Sequence, residues 1–235
     1  MSALALNALS ISFGGRKAVD DLNLTLKAGE VYALLGPNGA GKTTTLNMIL
    51  GFLKPDAGAI TVDGLDAVAD PLGARQRIAY LPETVMLQPA LSAVENLRYF
   101  SLLAGRKIDA ATARRLLAEA GLQADAHERR SEGFSKGMRQ KVGVAIALAK
   151  DAKVLLLDEP TSGLDASAAS DLSLLIRGAS QRGLAVLMAT HDLFRVKDVA
   201  HRLGILRGGR LLEERDAADL GPVELERLYL ERLAA

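Results

Sequence analysis

Two spacings of apolar residues take turns along the chain. Leu9, Ile11 and Phe13 alternate with polar or small residues, as do Leu22, Leu24 and Leu26. A period of two predicts half-buried antiparallel strands. After a turn at 27–30, "VYALLG" at 31–36 is apolar almost throughout, as a strand covered on both faces requires. A glycine-rich loop and a helix to about Leu50 follow, stopped by Gly51. Turn and strand return at 55–64, and a short strand at 77–82 ends on Pro82. Ser92 and Glu95 form a capping box ahead of Val94, Leu97 and Phe100, and a second helix runs over about 109–121.

Residues 84–135 thus read as a mostly helical insert, which the next helix, carrying Val142 to Ala149, extends to about 150. "KVLLLDEP", "LAVLMATH" and "LGILRGG" are further buried strands, and the segment at 165–180 is helical with Leu172, Leu175, Ile176 and Ala179 on one face. The tail over 222–235 aligns Leu225, Leu228, Tyr229 and Leu233 on one stripe. Buried strands alternating with helices predict an α/β protein with a parallel core that binds ligands at the carboxyl ends of its strands.

Composition narrows the chemistry. The 235 residues suffice for one domain, 1–235, with the insert inside it. With 29 basic and 28 acidic residues, net charge +1 gives no electrostatic case for nucleic acid as a partner. Cysteine is absent, which excludes disulfides, thiolate metal sites and cysteine catalysis. His127, His191 and His201 are too dispersed to suggest a metal cluster. No apolar run reaches the roughly 18 residues of a spanning helix, and "MSALALNALS" has no basic leader. The expectation is a cytoplasmic protein whose membrane part, if any, is another chain.

"GPNGAGKTT", Gly36 to Thr44, fits G-x-x-x-x-G-K-[ST] between a predicted strand and helix. Backbone N–H groups of such a loop, with the helix N-terminus behind them, face a polyphosphate. The candidate contacts are Gly36, Asn38, Gly39, Ala40, Gly41, Lys42, Thr43 and Thr44. Lys42 would reach the β- and γ-phosphates, and Thr43 would ligate Mg²⁺. "VLLLDE" ends a buried strand in two acids: Asp158 suits the metal and Glu159 suits a general base for the attacking water. His191 follows another buried strand and would meet the γ-phosphate, whereas His127 and His201 read as structural.

The order "GPNGAGKTT", "FSKGMRQ", "LLLDEPTSGLD", "ATHD" resembles the ATP-binding-cassette (ABC) ATPases over nearly the whole chain. That resemblance implies a P-loop fold with a RecA-like core, an antiparallel β subdomain and an inserted helical subdomain. It implies ATP and Mg²⁺ as ligands and a head-to-tail dimer with a second ABC ATPase subunit. In such a dimer Ser135 and Gly137 of the signature would face the partner's nucleotide, although Ser135 also reads as a helix cap. Asp165 matches the family's inter-subunit loop, and Phe13 matches the aromatic stacked on adenine. Two places depart from the pattern: Lys136 and Met138 replace a glycine and a glutamine of the signature, and Glu83 replaces a glutamine that ligates Mg²⁺. A carboxylate can serve that hard cation too.

"YLPE" with "SKGM" resembles the branch that drives ABC-2-type exporters, and residues 80–105 with the tail are similar to the ATPases of nitrous oxide reductase maturation. Such a protein works with integral-membrane permease subunits at the cytoplasmic face of the inner membrane. A soluble ABC ATPase of protein or metal-cluster assembly shares the same catalytic motifs and stays open as the alternative.

Overall fold

A computed structural model describes residues 2–234. Its centre is a six-stranded sheet built from β3 (Val31–Leu35), β6 (Ile78–Leu81), β7 (Val154–Asp158), β8 (Ala185–Thr190), β9 (Arg202–Arg207) and β10 (Arg210–Asp216). Their order is β10-β9-β3-β8-β7-β6, parallel from β9 to β6, with β10 antiparallel to β9 at the edge. The continuous apolar runs follow from this placement. On β3, Val31, Ala33 and Leu35 pack into one core cluster, while Tyr32 and Leu34 pack into another on the opposite face. Leu155 and Leu157 of β7 divide from Val154 and Leu156 in the same way.

The second sheet, in the order β2-β1-β4-β5, comprises β1 (Ser2–Phe13), β2 (Arg16–Lys27), β4 (Ala57–Val62) and β5 (Leu65–Asp66). Its pairs are antiparallel, as the alternation predicts. Leu22, Leu24 and Leu26 are buried while Asn23, Thr25 and Lys27 face out.

Helices α1 (Lys42–Ile49) and α2 (Pro71–Arg77) connect these layers. The insert holds α3 (Ala93–Leu103), α4 (Ala110–Glu119) and α5 (Lys136–Lys150). Its capping box forms as read: Glu95 N–H donates to Ser92 Oγ (3.2 Å) and Ser92 N–H to Glu95 Oε2 (2.8 Å). Asn96 is fully buried, accepts from Gln88 N–H at 2.8 Å and donates to Leu91 O at 3.1 Å, binding the loop before α3 to that helix. The far end of α5 is tied to the core by Lys150, whose ammonium donates to Arg75 O and Ile78 O. Helices α6 (Ala166–Gln181), α7 (Leu193–Val199) and α8 (Pro222–Ala234) complete the chain. Leu172, Ile176 and Ala179 are buried and Leu175 is half-buried, so the α6 face is as expected. Ala235, included in the expected tail helix, lies outside the described residues.

The structure corrects the sequence reading in two respects. The core sheet is not wholly parallel, because the tight Gly208–Gly209 turn folds β10 back along β9. Helices α2 and α7 also lie where no helix was expected; at seven residues each they show too few turns for apolar spacing to register. No helix among the described residues is long and apolar enough to cross a membrane.

Candidate nucleotide-binding site

The carboxyl ends of β3, β7 and β8 meet at one edge of the core sheet. From β3 the chain enters the loop 36–41 and then α1. Gly41 holds φ +107°, and a Cβ there would stand 2.5 Å from Ala18 O. A Cβ on Gly36 would stand 2.4 Å from Leu206 O. Only glycine lets the loop lie this close to the β9–β10 turn and to β2. Gly209 N–H donates to Ala40 O at 2.9 Å, fixing the loop from that side.

Lys42 opens α1 and turns its ammonium back under the loop, donating to Gly36 O (2.6 Å) and Pro37 O (3.3 Å). It is 6% exposed. Thr43 Oγ1 donates to Asp158 Oδ1 at 3.2 Å, across 115 residues of sequence. Asp158 is buried at the end of β7. Burial raises its carboxyl above the ordinary range and the Glu159 charge adds to this, although the Thr43 hydroxyl opposes it.

Glu159 turns out of the sheet with φ +44°, left-handed backbone that costs a non-glycine residue about 1–3 kcal/mol. Its N–H still donates to Ala189 O at 2.9 Å. Oε2 accepts from Thr190 Oγ1 (3.1 Å) and from His191 N–H (3.3 Å), with His191 Nδ1 at 2.9 Å. Oε1 lies 3.2 Å from the Lys42 ammonium, at an angle that makes no hydrogen bond, and is otherwise buried without a partner. Burial works to raise the Glu159 carboxyl, but His191 and Lys42 together outweigh it and hold the group below its usual value. Glu159 is thus an anion beside an ammonium, with one oxygen left to accept a proton or a water.

A cleft of about 240 Å³ is lined by the loop from Pro37 to Thr44 together with Ala18, Glu83, Asp158 and Glu159. Sequence reasoning assigned all of these except Ala18 and Pro37, which β2 and the loop's own path bring in. Tyr80 was also missed. It pairs in register with Leu156 on β7, two positions from Asp158, and burial followed by the Asp158 charge pushes its phenol up to about 12. Period-two register was the available signal.

Other candidates stand apart from this cleft. Phe13 is 51% exposed at the end of β1. Ser135 caps α5 by accepting from Met138 N–H at 3.3 Å, and Gly137 follows in its first turn. Asp165 caps α6 by accepting from Ala168 N–H at 2.8 Å. His127 and His201 serve the structure: His127 Nε2 lies 3.0 Å from Leu122 O, and His201 Nδ1 accepts from Val31 N–H at 2.9 Å.

The donor set fits a nucleoside triphosphate with a divalent cation: a buried ammonium and a glycine loop for phosphate, a hydroxyl beside a carboxylate for metal. The class is that of a P-loop nucleotide-binding protein. Residues 19–162 match the family model described as ABC transporter, and the chain belongs to that family. It is 40% identical to the Nod factor export ATP-binding protein I of Burkholderia lata, over 86% of this chain and 67% of that protein. It is 40% identical to the ABC transporter ATP-binding protein NatA of Bacillus subtilis, over 83% and 80% respectively. Among solved structures, the dimeric post-hydrolysis state of the cassette MJ0796 bound to ADP and Pi superposes with TM-score 0.80 at 26% identity, covering 91% of this chain and 98% of that one. The chain is an ABC ATPase, an ATP-binding subunit with the P-loop fold, antiparallel sheet and helical insert of such cassettes.

Proposed function

We propose that this ATPase hydrolyses Mg²⁺–ATP as a head-to-tail dimer and drives a separately encoded membrane permease of the ABC-2 export type. The observation that carries the catalytic part is the Glu159 carboxylate, with its buried Oε1 lacking a hydrogen-bond partner and Lys42 3.2 Å away. Lys42 and the N–H groups of the loop 36–44 bind and orient the phosphates. Thr43, Asp158 and Glu83 would hold Mg²⁺, which when bound neutralises charge on the phosphate chain. Glu159 takes a proton from the attacking water at Oε1, and its other oxygen stays fixed by Thr190 and His191. The Nε2 edge of His191 remains for the γ-phosphate.

The cleft's 240 Å³ falls below the roughly 300–1,000 Å³ of enclosed ligand pockets. That size suits the polyphosphate, so the base would lie outside, against the exposed Phe13 ring. Ser135, Gly137 and Asp165, which line no part of the cleft in their own chain, are assigned to the partner's nucleotide. The domain spans 1–235, with the insert over about 84–150. The export relatives and the "YLPE"–"SKGM" pairing favour an exporter at the cytoplasmic face of the inner membrane, and residues 80–105 favour the copper-enzyme maturation type.

Mild-detergent affinity purification from the native cells tests the assignment. Co-purification of a polytopic membrane protein, with Mg²⁺-dependent ATPase activity in the complex, is the expected result. A soluble partner with no membrane chain would overturn the transporter reading in favour of an assembly ATPase.

A further inference from the structure

The two departures from the family pattern meet in space. Lys136, the first residue of α5, places its ammonium 3.8 Å from Glu83 Oε1, though 53 residues separate them in sequence. The same Oε1 accepts a hydrogen bond of 2.8 Å from Ser162 Oγ. Lys136 also spans the loop after β7, with its ammonium 3.6 Å from the position a Cβ would take on Gly163. The Glu83 backbone is pinned independently, since the buried Gln140 of α5 donates to Glu83 O at 3.2 Å. Only the Glu83 side chain is therefore free to be shared. On one side stand Ser162 and Lys136; on the other is the cleft that Glu83 lines with Thr43 and Asp158.

We propose that Lys136 is a positioning residue for Glu83: with Ser162 it holds the Glu83 carboxylate off the metal position and so sets how much divalent cation the site needs to bind nucleotide. The inference rests on the reading of Glu83 as a metal ligand. A third carboxylate beside Asp158 and Glu159 would otherwise stand at the cleft with no cation near it when nucleotide is absent. A glutamine at 83 would need no such partner, and a glycine at 136 could not supply one. The pair is partly exposed, 31% for Lys136 and 54% for Glu83, so its grip is weak enough for a divalent cation to overcome.

The test is a Mg²⁺ titration of the binding of β,γ-imido-ATP to the full chain, at dilution where sedimentation shows a monomer, so that no partner signature contributes. Lys136→Gly should lower the Mg²⁺ concentration at half-saturation by about two- to five-fold, the scale of one weak ion pair. Lys136→Arg should restore the original value, and Ser162→Ala should shift it in the same direction as Lys136→Gly. Glu83→Gln alone should raise it, and in that background Lys136→Gly should change nothing further. Lys136→Ala, with a thermal melt of each variant, guards against a folding defect from the glycine. An equal shift with and without Glu83 would overturn the proposal, because Lys136 would then act on the nucleotide itself. No shift in either background would overturn it too. A Glu83→Gln titration identical to the original protein's would sink the metal-ligand reading, and the proposal with it.

Discussion

Replacing Glu159 with glutamine separates two things its carboxylate does. In the resting chain Oε1 faces the Lys42 ammonium at 3.2 Å, a contact worth about 5 kcal/mol in raw Coulomb attraction at an effective dielectric near 20. Most of that is offset by the cost of burying both charges. An amide loses the attraction, yet leaves Lys42 its bonds to Gly36 O and Pro37 O, so the nucleotide-free fold should lose only about 1–2 kcal/mol. A melt would show this as a fall of roughly 2–8 °C. Nucleotide binding should tighten by up to about tenfold, because phosphate no longer displaces a carboxylate from Lys42. Hydrolysis should fall by about 10²–10⁴, since an amide cannot accept the water's proton. The assay pairs phosphate release with equilibrium ATP binding, and gel filtration should show an ATP-retaining dimer. Turnover within tenfold of the original with binding intact would refute the base assignment. Parallel loss of binding and turnover would refute the claim that Glu159 competes with phosphate for Lys42.

Ser135→Arg should abolish hydrolysis while leaving ATP binding to the monomer unchanged; lost monomer binding, measured by fluorescence titration, would point instead to a folding defect from the lost α5 cap. Asp158→Asn should stabilise the nucleotide-free protein at neutral pH and abolish Mg²⁺-dependent binding. The native Asp158 carboxyl titrates above its unfolded value, so stability falls as pH rises from the ordinary aspartate range through that raised value. Melts of the asparagine variant over the same range should lack this slope. Asn96→Ala strands Gln88 N–H, while Leu91 O keeps its bond from Ser131 N–H, and should cost about 1–3 kcal/mol, a fall of roughly 2–12 °C, with ATP binding to the P-loop retained.

The parts of this molecule legible in its sequence are those in which neighbours in the chain are neighbours in space. The loop 36–44, the Ser92–Glu95 box and the two-faced burial of β3 are local patterns, and the structure contains each. Asp70 before Pro71 was a readable start for α2, because proline suits a first helical position, but the segment's shortness hid it. β10 was hidden by its charges: Arg210, Glu213, Glu214 and Arg215 suit an edge strand and resemble a loop. At the site, the motifs named Lys42 and Glu159 separately, whereas their contact depends on the left-handed turn at 159. The three-way meeting of Glu83, Lys136 and Ser162 joins two loops and the start of α5, from three regions of the chain. No spacing rule reaches that far.

The central sheet divides its buried side chains cleanly, with Val31, Ala33 and Leu35 of β3 facing one cluster and Tyr32 and Leu34 the other. One cluster takes in the α3–α5 insert, and the other takes in α1 and the antiparallel sheet. A change of side-chain volume on the insert side can therefore be absorbed there without repacking the half that carries the phosphate loop. The sheet works as a partition between two cores that share only its backbone.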